Sequence, residues 1–255
     1  RHFGSSVTFI DHDDIDNVFS AVESGQCDYG LAPYENTIGG GITDTLDALQ
    51  THQVSIYAES MIEVVLCLLC NGAPDQIRRI ASKPQAIAQC RHWLAAHYPR
   101  VDRLDTPSSA AAVKSAADDP SCAAIGSALA GDLYGVKPIF ERIQDKVNNV
   151  TRFLILSREE ARPSGEDKTT IMFVTADKPG ALVDVLGVFR DAGINLSHID
   201  KRPSGRVNWE WTFFIDLEGH REDANVSKAI KAAEAFCVSM RILGSYPCAE
   251  HCLAQ

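Results

Sequence analysis

A polar stretch from Arg158 to Lys168, with Pro163, Ser164 and Gly165 inside it, separates two parts of this chain that have different hydrophobic rhythms. Clustered Pro, Ser and Gly between periodic segments mark a linker. At 255 residues the chain is long for one domain and comfortable for two. The division that follows is a first domain over residues 1–157, a linker over 158–167 and a second domain over 168–255.

The first part alternates strand-like and helix-like stretches. Val7–Ile10 reads as a short strand. Ile15–Ser24 reads as a helix, with Ile15, Val18, Phe19 and Val22 on one face. Tyr29–Pro33 is strand-like, and Gly39-Gly40-Gly41 leads into a helix over Thr43–Gln50 with Thr43 or Asp44 as its N-cap. Strands follow at Val54–Tyr57 and Ile62–Cys70. Pro84 opens a helix running to His97, Ser108 and Ser109 cap another through Ala117, and Ala123–Ile125, Ser127–Tyr134 and Thr151–Ser157 read as strand, helix and strand. This alternation predicts an α/β domain with a mainly parallel sheet.

The second part is organised differently. Thr169–Ala176, Ile194–Ile199, Trp209–Leu217 and Val238–Leu243 read as strands. Pro179–Ala192 and Asp223–Phe236 read as helices, the first stopped by Gly193 at a C′ position. The order βαββαβ predicts an α+β, ferredoxin-like domain. Its antiparallel sheet has one face for helices and edges left to pair, so association into a dimer through that sheet is expected.

Charge and cysteine usage remove several function classes. The net charge is −10, which argues against non-specific nucleic-acid binding and requires a local basic site for any anionic substrate. No apolar run approaches the roughly 18–20 residues needed to span a bilayer. The longest, Val64 to Cys70, suits a buried strand. Within it Cys67 and Cys70 form a CxxC, but the pleat turns them to opposite faces and no second CxxC follows, so both are expected in the core and no metal site is expected. Cys248, His251 and Cys252 at the C-terminus read as a loose tail rather than a site. Eight unpatterned cysteines fit a reducing, cytoplasmic setting. No Walker loop, GxGxxG, HExxH or G-x-S-x-G is present, so no cofactor is implied.

Four stretches concentrate polar groups at element ends, where α/β sites form. Glu35-Asn36-Thr37 with the three glycines lies between a strand and a helix; it reads either as an anion cradle at a helix N-terminus or as a surface turn. Ser82-Lys83-Pro84-Gln85 with Gln89 places Gln85, Gln89 and His92 on one helix face and Ile87, Cys90 and Leu94 on the other, so the amides line either a cleft or a solvated surface. Ser108-Ser109 starts a helix and reads as a carboxylate site or simply an N-cap. In Asn149-Val150-Thr151-Arg152-Phe153, alternation puts Thr151 and Phe153 on one face and Arg152 on the other.

These stretches, in this order and followed by a βαββαβ domain, resemble the prephenate dehydratase family with a C-terminal ACT domain. Asp28-Tyr29-Gly30 to Pro33-x-Glu35-Asn36 resembles its first signature, Ser82-x-Pro84-Gln85 to Gln89-Cys90 its second, and Asp145 to Asn149-x-Thr151-Arg152-Phe153 its third and most specific. Lys178-Pro179-Gly180-Ala181-Leu182, Gly193-Ile194-Asn195-Leu196, Arg202-Pro203 and Gly244-Ser245-Tyr246-Pro247 resemble the ACT pattern.

The resemblance implies a two-lobed, periplasmic-binding-protein-like catalytic domain with the active site between its lobes. It implies a carbon–oxygen lyase that turns prephenate into phenylpyruvate in phenylalanine biosynthesis, losing water and carbon dioxide without a cofactor because aromatisation drives the step. By motif, Thr151 is the expected proton donor to the leaving hydroxyl. Glu35, Asn36, Thr37, Ser82, Gln85, Gln89, Ser108, Ser109, Asn149 and Phe153 are expected to surround the substrate. Arg152 is the candidate for charge balance, unless the strand turns it away into a structural role. The ACT resemblance implies phenylalanine as effector at a subunit interface, with Gly180, Ala181, Leu182 and Asn195 on one wall and Asp200, Arg202 and Pro203 on another. A homodimer or homotetramer is expected, and the resemblance allows an upstream fusion to chorismate mutase.

This sequence departs from the family at Thr37, where Ser is usual, at Lys83, where His is usual, and at Asp200-Lys201, where Glu-Ser is usual. The family's opening strand and Gly-rich turn have no counterpart, so the catalytic domain is expected to be N-terminally incomplete. Arogenate dehydration is the alternative within the same chemistry. A non-catalytic amino-acid sensor is the alternative from another class; Asn36, Gln89 and Thr151-Arg152-Phe153 oppose it.

Overall fold

The computed structural model describes residues 3, 7–205, 210–249 and 252–253. The first part of the chain runs α1 (Ile15–Glu23), β1 (Tyr29–Asn36), β2 (Gly40–Gly41), α2 (Thr43–Thr51), β3 (Ser55–Glu63), β4 (Cys67–Leu69), β5 (Arg79–Ser82), α3 (Pro84–Gln89), α4 (Arg91–His97), β6 (Asp102–Asp105), α5 (Ser109–Asp118), β7 (Cys122–Gly126), α6 (Ala128–Tyr134), β8 (Pro138–Phe140) and β9 (Val150–Ser157). The second runs β10 (Asp167–Thr175), α7 (Ala181–Asp191), β11 (Leu196–Pro203), β12 (Trp211–Glu218), α8 (Ala224–Glu234) and β13 (Cys237–Pro247). No helix among the described residues is long and apolar enough to cross a membrane.

Packing divides the chain into one unit of residues 1–61 with 152–251 and another of residues 62–151 with 252–255. The expected C-terminal domain therefore packs with the start of the chain rather than standing alone.

In the first unit, β3, β9, β1 and β2 neighbour one another in that order. The C-terminal sheet runs β11-β12-β10-β13 with every pairing antiparallel, as βαββαβ requires. Its two faces carry different cores because side chains alternate along each strand. Ile171, Phe173, Ile215 and Leu217 face α7 and α8, joining Val185, Phe189, Val226 and Ile230. Phe214, Leu243 and Tyr246 turn the other way and join Phe19, Val22, Tyr34, Leu46 and Ile56 of the N-terminal segment. The second face of this sheet is thus covered within the chain, and an association through the sheet is left with its edges. Gly193 ends the α7 segment with φ 68, the left-handed cap the sequence predicts.

The second unit holds a sheet in the order β6-β5-β7-β4-β8. Its β6, β5 and β7 are parallel, but β4 runs antiparallel to both β7 and β8, so the sheet is mixed rather than mainly parallel. Short β4 packs on both faces. Cys67 and Leu69 join Ala112 and Val113 on one side, while Leu68 and Cys70 join Ile80 and Cys90 on the other, so the CxxC is split by the pleat as expected.

Other expectations are corrected. Residues 7–10 form no strand and are exposed. Neither Thr43 nor Asp44 caps α2: the N-cap position is Ile42, which makes no side-chain capping bond, and Thr43 and Asp44 lie inside the helix. The helix expected from Pro84 to His97 breaks at Cys90, where the backbone leaves helical geometry (φ −111, ψ 16). Trp209, expected at a strand start, and His251, expected in a loose tail, lie outside the described residues.

Candidate active site

The second and third signatures meet within the second unit. Residues 84–97 form two short helices, and α4 starts without a capping side chain of its own. The cap comes from across the fold: the Asp145 carboxylate accepts from the backbone N–H groups of His92 and Trp93, each at 3.0 Å. A carboxylate on a helix N-terminus satisfies orphan donors and complements the helix dipole. The Asp145 N–H in turn donates to Gln89 O at 2.8 Å. Four residues on, Asn149 is 1% exposed and its side-chain amide donates to Gln89 Oε1 at 3.4 Å. Thr151 follows it, half-buried on the opposite side of β9 from Arg152.

Ser82 ends β5, fully buried, and its hydroxyl donates to Ile125 O at 2.9 Å. Ser108 is the N-cap of α5, accepting from the Ala111 N–H at 3.0 Å, and Ser109 is the first helical residue. Gln85 is exposed, and the break at Cys90 separates it and Gln89 from His92, so the continuous amide face expected of one helix does not form.

The first signature lies in the other unit. Strand β1 extends through Glu35 and Asn36, which pair with Gly41 and Gly40 of β2, so these residues sit in a hairpin rather than after a strand. Asn36 Oδ1 accepts from the N–H groups of Ile38 and Gly39 at 2.9 and 3.0 Å, closing the turn that holds Thr37. A Cβ built on Gly41 would collide with the Asp200 carboxylate. The glycine turn expected to cradle an anion is faced by an acidic side chain of this same chain.

Arg152 and Phe153 follow on β9, with Arg152 inward and Phe153 half-buried beside it. The charge-balancing role expected for Arg152 gives way to its structural alternative. Its Nε donates to Glu59 Oε2 at 2.6 Å, Nη1 to Asp216 Oδ2 at 2.6 Å and Nη2 to the Tyr246 hydroxyl at 2.9 Å. Burial opposes the guanidinium charge, but Tyr246, Asp216 and Glu59 outweigh it and hold Arg152 protonated. Burial likewise acts to raise the Glu59 pKa, yet Arg152, the Ala249 N–H and Lys168 bring it below the usual carboxylate range. Glu35 is lowered by its hydrogen bond to His198, whose Nδ1 lies 3.2 Å away, against the opposing effect of burial. Sequence reading missed Glu59, Asp216 and Tyr246 as partners. The available signal was an acid inside an apolar strand: Asp216 in Trp211-Thr212-Phe213-Phe214-Ile215-Asp216-Leu217.

The residues expected at an effector site divide likewise. Gly180, Ala181 and Leu182 line a cavity of about 440 Å³ with Thr175, Trp211 and Phe213. Asn195, Asp200, Arg202 and Pro203 do not line it. Asn195 donates to Glu218 Oε1 at 2.7 Å, and Arg202 makes a two-pronged pair with Asp47 of α2, both contacts at 2.8 Å. Pro203 pairs with Trp211 at the end of β11.

The prephenate dehydratase family model matches residues 1–161, and the ACT domain model matches residues 169–235. A bifunctional chorismate mutase/prephenate dehydratase of Aquifex aeolicus is 39% identical over 246 residues, 96% of this chain and 68% of that protein. The crystal structure of a prephenate dehydratase from Arthrobacter aurescens in complex with L-Phe is 34% identical, with TM-score 0.86, covering 94% of this chain and 82% of that one. GqqA, described as a novel type of quorum quenching acylase, is 28% identical with TM-score 0.84, covering 94% of this chain and 89% of that one.

Proposed function

The chain belongs to the prephenate dehydratase family and carries an ACT domain, and from that premise we infer that it is a prephenate dehydratase under phenylalanine feedback. The reaction converts prephenate and a proton to phenylpyruvate, water and carbon dioxide. The ring carboxylate leaves as carbon dioxide, its bonding pair enters the ring, and the ring hydroxyl departs as water. Aromatisation supplies the driving force, so the protein's task is to hold the substrate and bring a proton to the departing hydroxyl.

Thr151 is the proton donor in this reading, regaining its proton from solvent. Its neutral hydroxyl is a weak acid, so the rate depends on placement. The observation that carries the assignment is the junction of two signatures beside it: Asn149 tied to Gln89, and Asp145 holding the start of α4. Gln89 and Asn149 support the segment leading to Thr151, with Ser82 and Ser108-Ser109 at neighbouring element ends in the same unit. The cavity at Gly180, Ala181 and Leu182 takes phenylalanine, with Trp211 and Phe213 offering aromatic contact to its ring. The chain associates as a homo-oligomer through the edges of the C-terminal sheet.

The test is phenylpyruvate formation from prephenate, followed by its absorbance in alkali, for the chain and for Thr151→Ala, with and without phenylalanine. Turnover that the variant loses and phenylalanine suppresses is the expected result. No phenylpyruvate from the unaltered chain rejects the reading. Faster turnover of arogenate than of prephenate would reassign the substrate.

A further inference from the structure

Four charged side chains meet in the interior of the first unit, where charge is costly. Glu59 and Asp216 have side chains 0% exposed, Arg152 7% and Lys168 13%. Each carboxylate oxygen has a partner. Glu59 receives Arg152 on one oxygen and Lys168 Nζ and the Ala249 N–H, each at 2.9 Å, on the other. Asp216 receives Arg152 on one oxygen and the Thr170 hydroxyl at 2.7 Å on the other. The Thr170 and Tyr246 hydroxyls lie 2.5 Å apart, closing the ring of contacts.

Such a cluster is weak support for stability, since replacing buried ion pairs with packed apolar groups is often neutral or stabilising. What a fully satisfied polar network does supply is a single geometry. The residue most tightly specified is Arg152. Its Nε is bound to the N-terminal segment through Glu59 on β3, and both Nη groups are bound to the C-terminal domain through Asp216 on β12 and Tyr246 on β13. Arg152 directly follows Thr151, and alternation along β9 aims the two side chains to opposite faces. Fixing one side chain of such a pair at three points fixes the peptide that presents the other.

We propose that Asp216 and Tyr246, residues of the regulatory domain, are positioning residues for the dehydration and act through Arg152 on the placement of Thr151. They touch no reacting atom. They hold the guanidinium at two points, so that the strand entering β9 keeps the twist that aims the Thr151 hydroxyl. The inference rests on the functional reading above. It gives the regulatory domain a part in catalysis before any effector binds.

The experiment uses the whole chain and three variants. Tyr246→Phe keeps the ring and removes one bond to Arg152. Asp216→Asn keeps the shape and weakens the other. Ile215→Ala, whose side chain faces α7 and α8 from the neighbouring position, loosens the same domain without touching Arg152. The readouts are kcat and KM for prephenate well below each variant's Tm, together with Tm itself. Tyr246→Phe and Asp216→Asn are expected to lower kcat roughly ten- to a hundredfold, the scale of a small misplacement of a catalytic group, with KM within about twofold. Ile215→Ala is expected to lower Tm at least as far as Tyr246→Phe while leaving kcat within about twofold of the unaltered chain. Unchanged kcat in the first two variants overturns the inference, and so does an equal kcat loss in Ile215→Ala. If Asp216→Asn does not fold, Tyr246→Phe alone decides. An unaltered chain that makes no phenylpyruvate would instead reject the functional reading, and this inference with it.

Discussion

The Asn149 amide reaches Gln89 Oε1, 60 residues earlier in the chain, and the bond joins the entry to β9 to the end of α3. Both groups are amides, which donate and accept hydrogen bonds without adding charge. The same loop supplies Asp145 to the start of α4, so the segment before Thr151 is held at two points, by Gln89 at the end of α3 and by His92 and Trp93 of α4.

Thr151→Ala should therefore lower kcat by about 10²- to 10⁴-fold, the range attributed to a general acid. The stability cost should stay near that of one hydrogen-bonded hydroxyl, about 0.5–1.5 kcal/mol, which urea unfolding reads separately from the rate. Thr151→Ser keeps the donor and should retain much of the rate. Steady-state assays of both variants check this, and an alanine variant as fast as the parent would remove Thr151 from the mechanism.

Much of this was legible in the sequence for local reasons, and the misreadings are equally physical. Alternation along β9 separated Thr151 from Arg152 correctly, and Gly193 marked the end of its helix. The CxxC was rightly assigned to two faces of a strand. The break at Cys90 was not legible, because Gln85–Ala96 holds no Gly or Pro to interrupt a helix and the cap on the start of α4 is Asp145, which arrives from elsewhere in the chain. The hairpin of Glu35-Asn36 against Gly40-Gly41 was hidden by the density of polar residues, which reads as loop. Least legible was the covered second face of the C-terminal sheet. Its strands offer Phe214 and Tyr246 beside Thr170 and Asp216, a mixed face that becomes sensible only when Arg152 and Glu59 meet it.

The backbone of Ile56 in β3 passes so close to Gly244 in β13 that a Cβ at Gly244 would overlap backbone atoms. Backbone cannot step aside as a flexible side chain can. Gly244→Ala should cost about 1–3 kcal/mol, the usual range for overpacking a tight core. Urea unfolding followed by tryptophan fluorescence would show it, whereas Gly39→Ala, where the nearest atom to a new Cβ is 3.7 Å away, should cost clearly less.

Gly180 has φ 84 and opens α7 beside the proposed effector cavity, with no atom within 4 Å of a built Cβ. In Gly180→Ala the new methyl group meets empty space, but the backbone resists the left-handed conformation by about 1–2 kcal/mol. Relaxation of the cavity wall should raise the phenylalanine concentration for half-inhibition about tenfold, a shift of the size expected when most of one allosteric coupling is lost. Activity without phenylalanine should stay near that of the parent. A dose–response curve that does not move would exclude this cavity as the effector site.

His52 gives the fold a pH dependence with a definite sign. Its Nδ1 lies 2.7 Å from Glu23 and its Nε2 3.0 Å from Asp16, so the ring sits between two carboxylates. Burial opposes charging the ring, but hydrogen bonds to Asp16 and Glu23 outweigh it and raise the pKa above the usual imidazole value. A raised folded-state pKa means that the stabilisation is complete below the unfolded value of about 6.5 and is lost as pH rises through the folded one. Glu23 works in the opposite window. Its pKa is lowered, first by His52 and then by the Gln53 N–H, so its contribution holds above the usual carboxylate range and fades in acid. His52→Gln keeps some hydrogen bonding but no titration. Between about pH 6 and pH 8 the parent should lose stability that the variant never had, so their unfolding midpoints should converge as pH rises. Midpoints that stay equally far apart across that range would show that His52 contributes only by packing.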